Sequence, residues 1–296
     1  MPSFQAGDGT RLAYRVDGQG LAVLALAGFT RDSRDFDDLA RHLPGDVQLI
    51  RLDSRGRGAS GWADPASYCV AQEARDALAL LDHLGVARAG IIGSSRGGLL
   101  GLVIAATARH RLLGLCLNDV GPVLERAGLL RIGRDVGVAP AVATLAEMAA
   151  RLPSVMPGFD GVPPLRWQQE AARRCVQREG GLGLTYDPAL RQAFDAAMAA
   201  PVADLWPLFD ACAGLPLALI RGAGSDVLAR ATARQMRRRR PDMLHAEVPG
   251  RGHVPFLDEA EALATIRAWI DRLGPAGPAG RGAVGALPPN PRSRRQ

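Results

Sequence analysis

Two adjacent serines, Ser94 and Ser95, lie in the glycine-rich stretch AGIIGSSRGG, directly after a short apolar run. A serine hydroxyl becomes a nucleophile when a histidine removes its proton and an acid orients that histidine. Ser95 is central in the frame GSSRG (93–97), which has the form GxSxG, whereas Ser94 has no glycine two positions before it. Such a frame is typical of a nucleophile presented on a tight strand-to-helix turn. A plain glycine turn and a phosphate-binding loop are the alternatives.

A candidate base and two candidate acids follow later in the chain. His253 stands in PGRGHVPFLDE, between the last apolar run and the last helical pattern. Asp226, in IRGAGSDVL, follows the preceding apolar run, and Asp119 follows an earlier one. The order serine, acid, histidine, each after a different strand, is typical of a triad assembled at one edge of an α/β sheet. We predict Asp226 as the acid, with Asp119 as its rival and a helix N-cap as the alternative role of Asp226.

Acyl transfer also requires two fixed hydrogen-bond donors for the negative oxygen that forms during attack. The backbone N–H of Arg96 follows the candidate nucleophile at the start of a helical pattern. The backbone N–H of Phe29 stands in AGFTRDS, just after the apolar run LAVLALAG. We predict that these two groups bind the oxyanion.

Short apolar runs alternate with helical patterns along most of the chain, which predicts the α/β class, with a mostly parallel sheet and helices on both faces. An antiparallel pair, 3–6 and 11–16, is expected at the edge of the sheet. The parallel strands are predicted at 21–28, 47–53, 89–94, 112–119, 215–222 and 244–250.

One region interrupts this alternation. Residues 122–212 show amphipathic stretches but no strand pattern, so we predict an α-helical insertion that caps the carboxyl ends of the strands. The core would comprise 1–121 and 213–273. Residues 274–296 contain no acid and almost no large apolar side chain, which predicts a disordered basic tail.

Composition limits the partners. The chain has 296 residues and 47% hydrophobic content, and it lacks both an apolar run of membrane-spanning length and a signal-peptide pattern, so we expect a cytoplasmic protein. The four cysteines are scattered, and no cofactor or metal is expected. The net charge is +6 and every basic residue is arginine. The acid-free tail accounts for most of the excess positive charge, and the arginine run 237–240 is typical of a solvated helix end. No nucleic-acid or membrane partner is predicted, and oligomeric state stays open.

Five ordered motifs resemble the α/β-hydrolase superfamily, in particular its capped branch of enol-lactonases, meta-cleavage-product hydrolases and pimeloyl-ester carboxylesterases. The resemblance covers roughly residues 5–273 and rests on AGFTRDSRDF, LDSRGRGAS, GSSRGG, GAGSDVL and PGRGHVPFLDE. It implies an α/β-hydrolase fold in which Ser95 is the nucleophile, Asp226 the acid and His253 the base. Phe29 and Arg96 would be the oxyanion donors.

The chain departs from that family at two positions. Ala27 stands where the family often has histidine before the oxyanion glycine, and Arg96 stands where it often has methionine, leucine or phenylalanine. We expect the Arg96 side chain to pair with an acid such as Asp119. The alternative is that it leans into the site and favours a substrate with a carboxylate.

The resemblance implies a serine hydrolase that cleaves a carboxylic ester or lactone of a small or medium apolar substrate through an acyl-enzyme. A hydrolase of carbon–carbon bonds would use the same triad, and a non-catalytic binding protein of this fold is a further alternative. The expected partner is a small-molecule substrate.

Overall fold

The computed structural model describes residues 1–274, so all but the first residue of the predicted tail lies outside the described part. In chain order the strands are β1 (Ser3–Gln5), β2 (Arg11–Asp17), β3 (Leu21–Leu26), β4 (Val47–Leu52), β5 (Ala89–Ser94), β6 (Leu112–Asn118), β7 (Cys175–Arg178), β8 (Gly181–Leu184), β9 (Leu217–Gly222) and β10 (Leu244–Val248). The helices are α1 (Asp37–His42), α2 (Val70–His83), α3 (Arg96–Thr107), α4 (Arg126–Gly133), α5 (Leu145–Val155), α6 (Pro164–Arg174), α7 (Leu190–Ala199), α8 (Trp206–Asp210), α9 (Arg230–Arg239) and α10 (Ala260–Asp271).

Eight strands form one sheet in the order β1-β2-β4-β3-β5-β6-β9-β10. The pairs β1–β2 and β2–β4 are antiparallel, and the other pairs are parallel. This is the α/β-hydrolase architecture that the sequence predicts, and each predicted strand forms close to its predicted bounds. The continuous apolar runs identify the parallel strands because both faces of these strands are covered.

The two faces of the sheet carry separate parts of the core. Along β3, Leu24 and Leu26 pack in one cluster with side chains of α2 and α3, whereas Val23 and Ala25 pack in a second cluster with α1 and α10. Alternate residues of a strand point to opposite faces, so a strand covered on both sides is apolar at every position.

Residues between β6 and β9 contain helices α4 to α8 and also a hairpin of β7 and β8. The sequence shows no strand pattern there. Each strand of the hairpin has four residues, and GLGL (181–184) contains two glycines, so neither shows the alternation that identifies a strand. At the end of this region Phe209 and Cys212 pack in the core cluster of the sheet.

Within residues 1–274, no helix is both long enough and apolar enough to cross a bilayer.

The turn between β5 and α3 brings the backbone of α3 close to the sheet. A Cβ placed on Gly97 would lie 2.0 Å from the carbonyl oxygen of Leu26 on β3, and a Cβ on Gly93 would lie 2.4 Å from the backbone nitrogen of Gly98. These contacts involve backbone atoms, which a side-chain rotation cannot relieve. The GxSxG glycines are therefore required by packing as well as by the turn.

We expect Gly97→Ala to destabilise the protein by about 1–3 kcal/mol or more, because the new methyl group overlaps the backbone of β3. Gly45→Ala is the matched control, since a Cβ at that position meets no atom of residues 1–274 within 4 Å. Thermal unfolding of both variants tests this; equal melting temperatures would contradict the packing argument.

Candidate active site

Ser95 lies at the junction of β5 and α3 with φ 50° and ψ −115°. Such a positive φ is rare for a residue with a Cβ and is maintained only where the surrounding structure enforces it. The strand fixes the residue before Ser95 and the helix fixes the residue after it. The side chain lies at the carboxyl end of the sheet and lines a large cavity.

The structure brings Ser95, His253 and Asp119 into one hydrogen-bonded chain. His253 Nε2 lies 2.8 Å from Ser95 Oγ, and His253 Nδ1 lies 2.7 Å from Asp119 Oδ2. The side chains of His253 and Asp119 are 6% and 0% exposed. A neutral imidazole that donates from Nδ1 to Asp119 leaves Nε2 as the acceptor of the serine proton.

Further donors hold the Asp119 carboxylate. The backbone N–H of Gly222 donates to Oδ1 at 2.9 Å, and the hydroxyl of Ser225 donates to Oδ2 at 2.6 Å. Asp119 directly follows β6, and Gly222 ends the neighbouring strand β9. Because β6 and β9 are neighbours in the sheet, the donors at the end of β9 and just after it lie against the carboxylate that follows β6.

Asp226 does not occupy the predicted position against His253. Its carboxylate accepts two bonds from Arg131 of α4, at 2.5 and 3.0 Å. Burial disfavours the charged form of Asp226, but the bonds from Arg131 outweigh it and lower the pKa of Asp226 below its ordinary value. The predicted Asp226–His253 contact is wrong because the loop after β9 turns Ser225 toward Asp119.

The sequence could not separate the two acids. Asp119 and Asp226 both follow parallel strands, and both precede His253 in the chain. The path of the loop after β9 decides which carboxylate contacts the imidazole. No short sequence pattern predicts that path. Ser225, whose hydroxyl connects to Asp119, was also missed.

The two predicted oxyanion residues line the same cavity as Ser95 and His253. Within residues 1–274, the backbone N–H groups of Phe29 and Arg96 donate no hydrogen bond to another residue. A Cβ on neighbouring Gly28 would lie 3.9 Å from Ser95 Cβ, so the loop that carries Phe29 approaches the serine closely. The role of these N–H groups stays a prediction.

The Arg96 side chain pairs with an acid, but the acid is Glu73 of α2 and not Asp119. Arg96 Nε donates to Glu73 Oε2 at 2.7 Å, and Nη2 donates to Glu73 Oε1 at 3.0 Å. A further bond runs from Nη2 to the carbonyl of Tyr68 at 2.9 Å. The guanidinium is thus bound to groups of the protein.

Ser94, the other serine of the motif, is buried and has a structural contact. Asn118 Nδ2 donates to Ser94 Oγ at 2.9 Å and to the carbonyl of Pro255 at 3.0 Å. This amide therefore connects the end of β5 to the loop that carries His253.

The cavity above Ser95 has a volume of about 970 Å³ and lies between the carboxyl ends of the strands and the residues that follow β6. Its apolar lining includes Leu124, Leu129, Met148 and Met156. Met156 also packs with Phe159 and Trp167 in a separate apolar cluster. A large, mostly apolar cavity beside a candidate nucleophile is typical of a small-molecule site.

Comparison with known proteins identifies the family. A model of the alpha/beta hydrolase family matches residues 23–266. The chain is 38% identical over 264 residues to the 3-hydroxybutyrate-oligomer hydrolase of Cupriavidus necator, a match that covers 85% of this chain and 90% of that protein. The chain therefore belongs to the alpha/beta hydrolase family. Membership of this family implies a small-molecule substrate.

Solved structures agree with this assignment. An alpha/beta hydrolase from Novosphingobium aromaticivorans has a TM-score of 0.86 and 37% identity, with 92% of this chain and 97% of that chain covered. The enol-lactonase from Burkholderia xenovorans has a TM-score of 0.68 at 21% identity, with 92% and 99% covered, and shares the fold.

The two acids are distinguished by Asp119→Asn and Asp226→Asn. A proton between His253 Nδ1 and the Asp119 carboxylate should resonate far downfield in the ¹H NMR spectrum. We expect this signal to shift or vanish in Asp119→Asn and to persist in Asp226→Asn. Hydrolysis of a p-nitrophenyl ester should fall about 10⁴-fold in kcat in the first variant, because the amide can hold the wrong imidazole tautomer.

Asp226→Asn should leave kcat within about tenfold of the starting enzyme, since Asp226 acts on His253 only through space. The assignment of Asp119 would be overturned if Asp226→Asn were the variant that lost the downfield proton and the activity.

Proposed function

We propose that the protein is a serine hydrolase that cleaves carboxylic esters through a Ser95–His253–Asp119 triad. The observation that carries this proposal is the unbroken chain of hydrogen bonds from Ser95 Oγ through both imidazole nitrogens to a buried carboxylate. The membership of a hydrolase family supports it. No step requires a cofactor.

In the first half of the reaction, Ser95 Oγ attacks the ester carbonyl carbon while His253 Nε2 takes the hydroxyl proton. The N–H groups of Phe29 and Arg96 stabilise the negative oxygen of the tetrahedral intermediate. When the intermediate collapses, the carbon–oxygen ester bond breaks and His253 gives its proton to the leaving alcohol. An acyl-enzyme on Ser95 remains.

In the second half, His253 removes a proton from water, and the water oxygen attacks the acyl carbon. Collapse returns the proton to Ser95 Oγ and releases the carboxylic acid. Asp119 remains ionised throughout, because its role is to hold the imidazole and stabilise the imidazolium.

The substrate that we propose is an oligomer of a short 3-hydroxy acid, in which each ester joins one hydroxyl to the next carboxyl group. The named activity of the Cupriavidus necator relative supports this choice. Such an oligomer has a free carboxylate at one end, so its site should offer a cation beside an apolar space.

Three arginines of the cavity lining, Arg126, Arg151 and Arg174, can supply that cation. None of them donates a side-chain hydrogen bond within residues 1–274, and Arg174 has an ionic contact with Glu170 at 3.5 Å. Burial and the nearby charge of Arg31 lower the pKa of Arg174 to about 10, which leaves it charged at neutral pH. A substrate carboxylate could bind it without displacing a hydrogen bond.

A fluorophosphonate probe tests the nucleophile. We expect the purified protein to be labelled at Ser95, as located by peptide mass mapping, and Ser95→Ala to stay unlabelled. This variant should lose on the order of a million-fold in kcat. Ser94→Ala is the matched control and should retain labelling; a folded protein that is not labelled would contradict the proposal.

Hydrolysis of the linear 3-hydroxybutyrate dimer and of its methyl ester tests the proposed substrate. We expect the free acid to have the higher kcat/KM, by about tenfold, the value of a hydrogen bond to a charged group. Arg174→Gln should reduce this preference, whereas Arg234→Gln, on α9 outside this cavity, should keep it. A preference for the methyl ester would overturn the assignment of a carboxylate-bearing substrate.

A further inference from the structure

We propose that Glu73, a buried residue of α2 outside the triad, is a positioning residue that holds the two oxyanion donors at a fixed separation. This inference rests on the proposed function, because it assigns Phe29 and Arg96 as the donors. The Glu73 carboxylate contacts Arg96 directly and is connected to Phe29 through Arg57.

The connection to Phe29 runs through Arg57. Glu73 Oε1 accepts a bond from Arg57 Nη1 at 2.8 Å, and Arg57 Nε donates to the backbone carbonyl of Phe29 at 2.8 Å. That carbonyl belongs to the residue whose N–H is the proposed donor. A shift of Arg57 would therefore change the orientation of the loop beside Ser95.

The connection to Arg96 is direct. Both oxygens of Glu73 accept bonds from the Arg96 guanidinium, at 2.7 and 3.0 Å, so the pair is bidentate. Bidentate pairs of this kind fix orientation as well as distance. Arg96 is the first residue of α3, and its backbone N–H is the second proposed donor.

Both guanidinium groups also lie close to the Phe29 ring. The Cζ atom of Arg57 lies 5.3 Å from the ring centroid and that of Arg96 lies 5.0 Å from it. Cations at this distance from an aromatic face are attracted to it. The ring, the two arginines and Glu73 thus form one connected group, which we call the oxyanion clamp.

Burial makes the oxyanion clamp rigid. The side chains of Glu73 and Arg57 are each 1% exposed, and that of Arg96 is 13% exposed. Burial alone would raise the pKa of Glu73, but Arg57 and Arg96 outweigh it and lower the pKa below its ordinary value. Without this negative charge, two adjacent buried cations would repel each other and reorient.

The sequence of the loop explains why it needs such a support. Ala27, two residues before Phe29, has only a methyl group and offers no polar side chain to the loop. The bond from Arg57 to the Phe29 carbonyl comes from a distant loop, and Arg57 in turn depends on Glu73. The loop that carries Phe29 is therefore supported by residues that lie far from it in the chain.

The test compares Glu73→Gln with Asp76→Asn. Asp76 lies three residues further along α2 and is equally buried, and it binds the Arg55 guanidinium in bidentate fashion at 2.6 and 2.8 Å. It has no contact with Phe29 or Arg96. Each variant removes one buried carboxylate charge that is paired with arginine, so both should lower the melting temperature alike. Only Glu73 belongs to the oxyanion clamp.

The measurements are kcat and KM for a p-nitrophenyl ester, and the inhibition constant of a trifluoromethyl ketone, which forms an oxyanion on Ser95. We expect Glu73→Gln to lower kcat by about tenfold or more, short of the 10²–10³-fold cost of losing a donor outright. KM should change little, and inhibitor affinity should fall by a factor similar to that in kcat. Asp76→Asn should keep both near the starting values.

Two results would overturn the inference: equal kcat losses in the two variants, or an unchanged kcat in Glu73→Gln. If Glu73→Gln cannot be purified folded, Arg57→Gln breaks the bond to the Phe29 carbonyl and should show the same loss in kcat; a normal kcat there also overturns it. Failure of the proposed function is separate, because the unsubstituted enzyme would then neither hydrolyse the ester nor bind the ketone.

Discussion

The buried carboxylate of Asp119 is the group on which the rest of the site depends. A fully buried charge is costly unless hydrogen bonds satisfy it, and Asp119 accepts bonds from Gly222, Ser225 and His253. These donors come from the end of β9, the loop that follows it and the loop after β10. The position of the imidazole relative to Ser95 therefore depends on the register of β6, β9 and β10.

A second set of buried charges connects the helices of the insertion to the core. Asp38 of α1 is buried and accepts bonds from Arg166 and Arg173, both on α6. Glu170, on the same helix, is also buried and contacts Arg31 in the loop near Ser95. Removal of one partner from such a group leaves a charge without compensation, which costs more than the intact pair contributes. The wall of the cavity is thus positioned by ion pairs as well as by apolar packing.

The cavity contains two kinds of arginine, and the difference bears on its chemistry. Arg96 and Arg131 are bound by Glu73 and Asp226, so their charges are already compensated. Among the described residues, Arg174 has a longer ionic contact with Glu170 and donates no side-chain hydrogen bond. A basic composition by itself therefore says little about a ligand, because most of these cations serve the protein's own acids.

The sequence determined the features that depend on neighbouring residues. Continuous apolar runs identified the strands of the main sheet, because parallel strands are buried on both faces. The glycines around Ser95 identified the turn, since a short contact with Leu26 leaves no room for a Cβ at Gly97. Only the tertiary structure decided that Asp119, and not Asp226, contacts His253, and that Glu73 connects Phe29 to Arg96. Those choices depend on loop paths and on contacts between residues far apart in the chain, for which no local pattern exists.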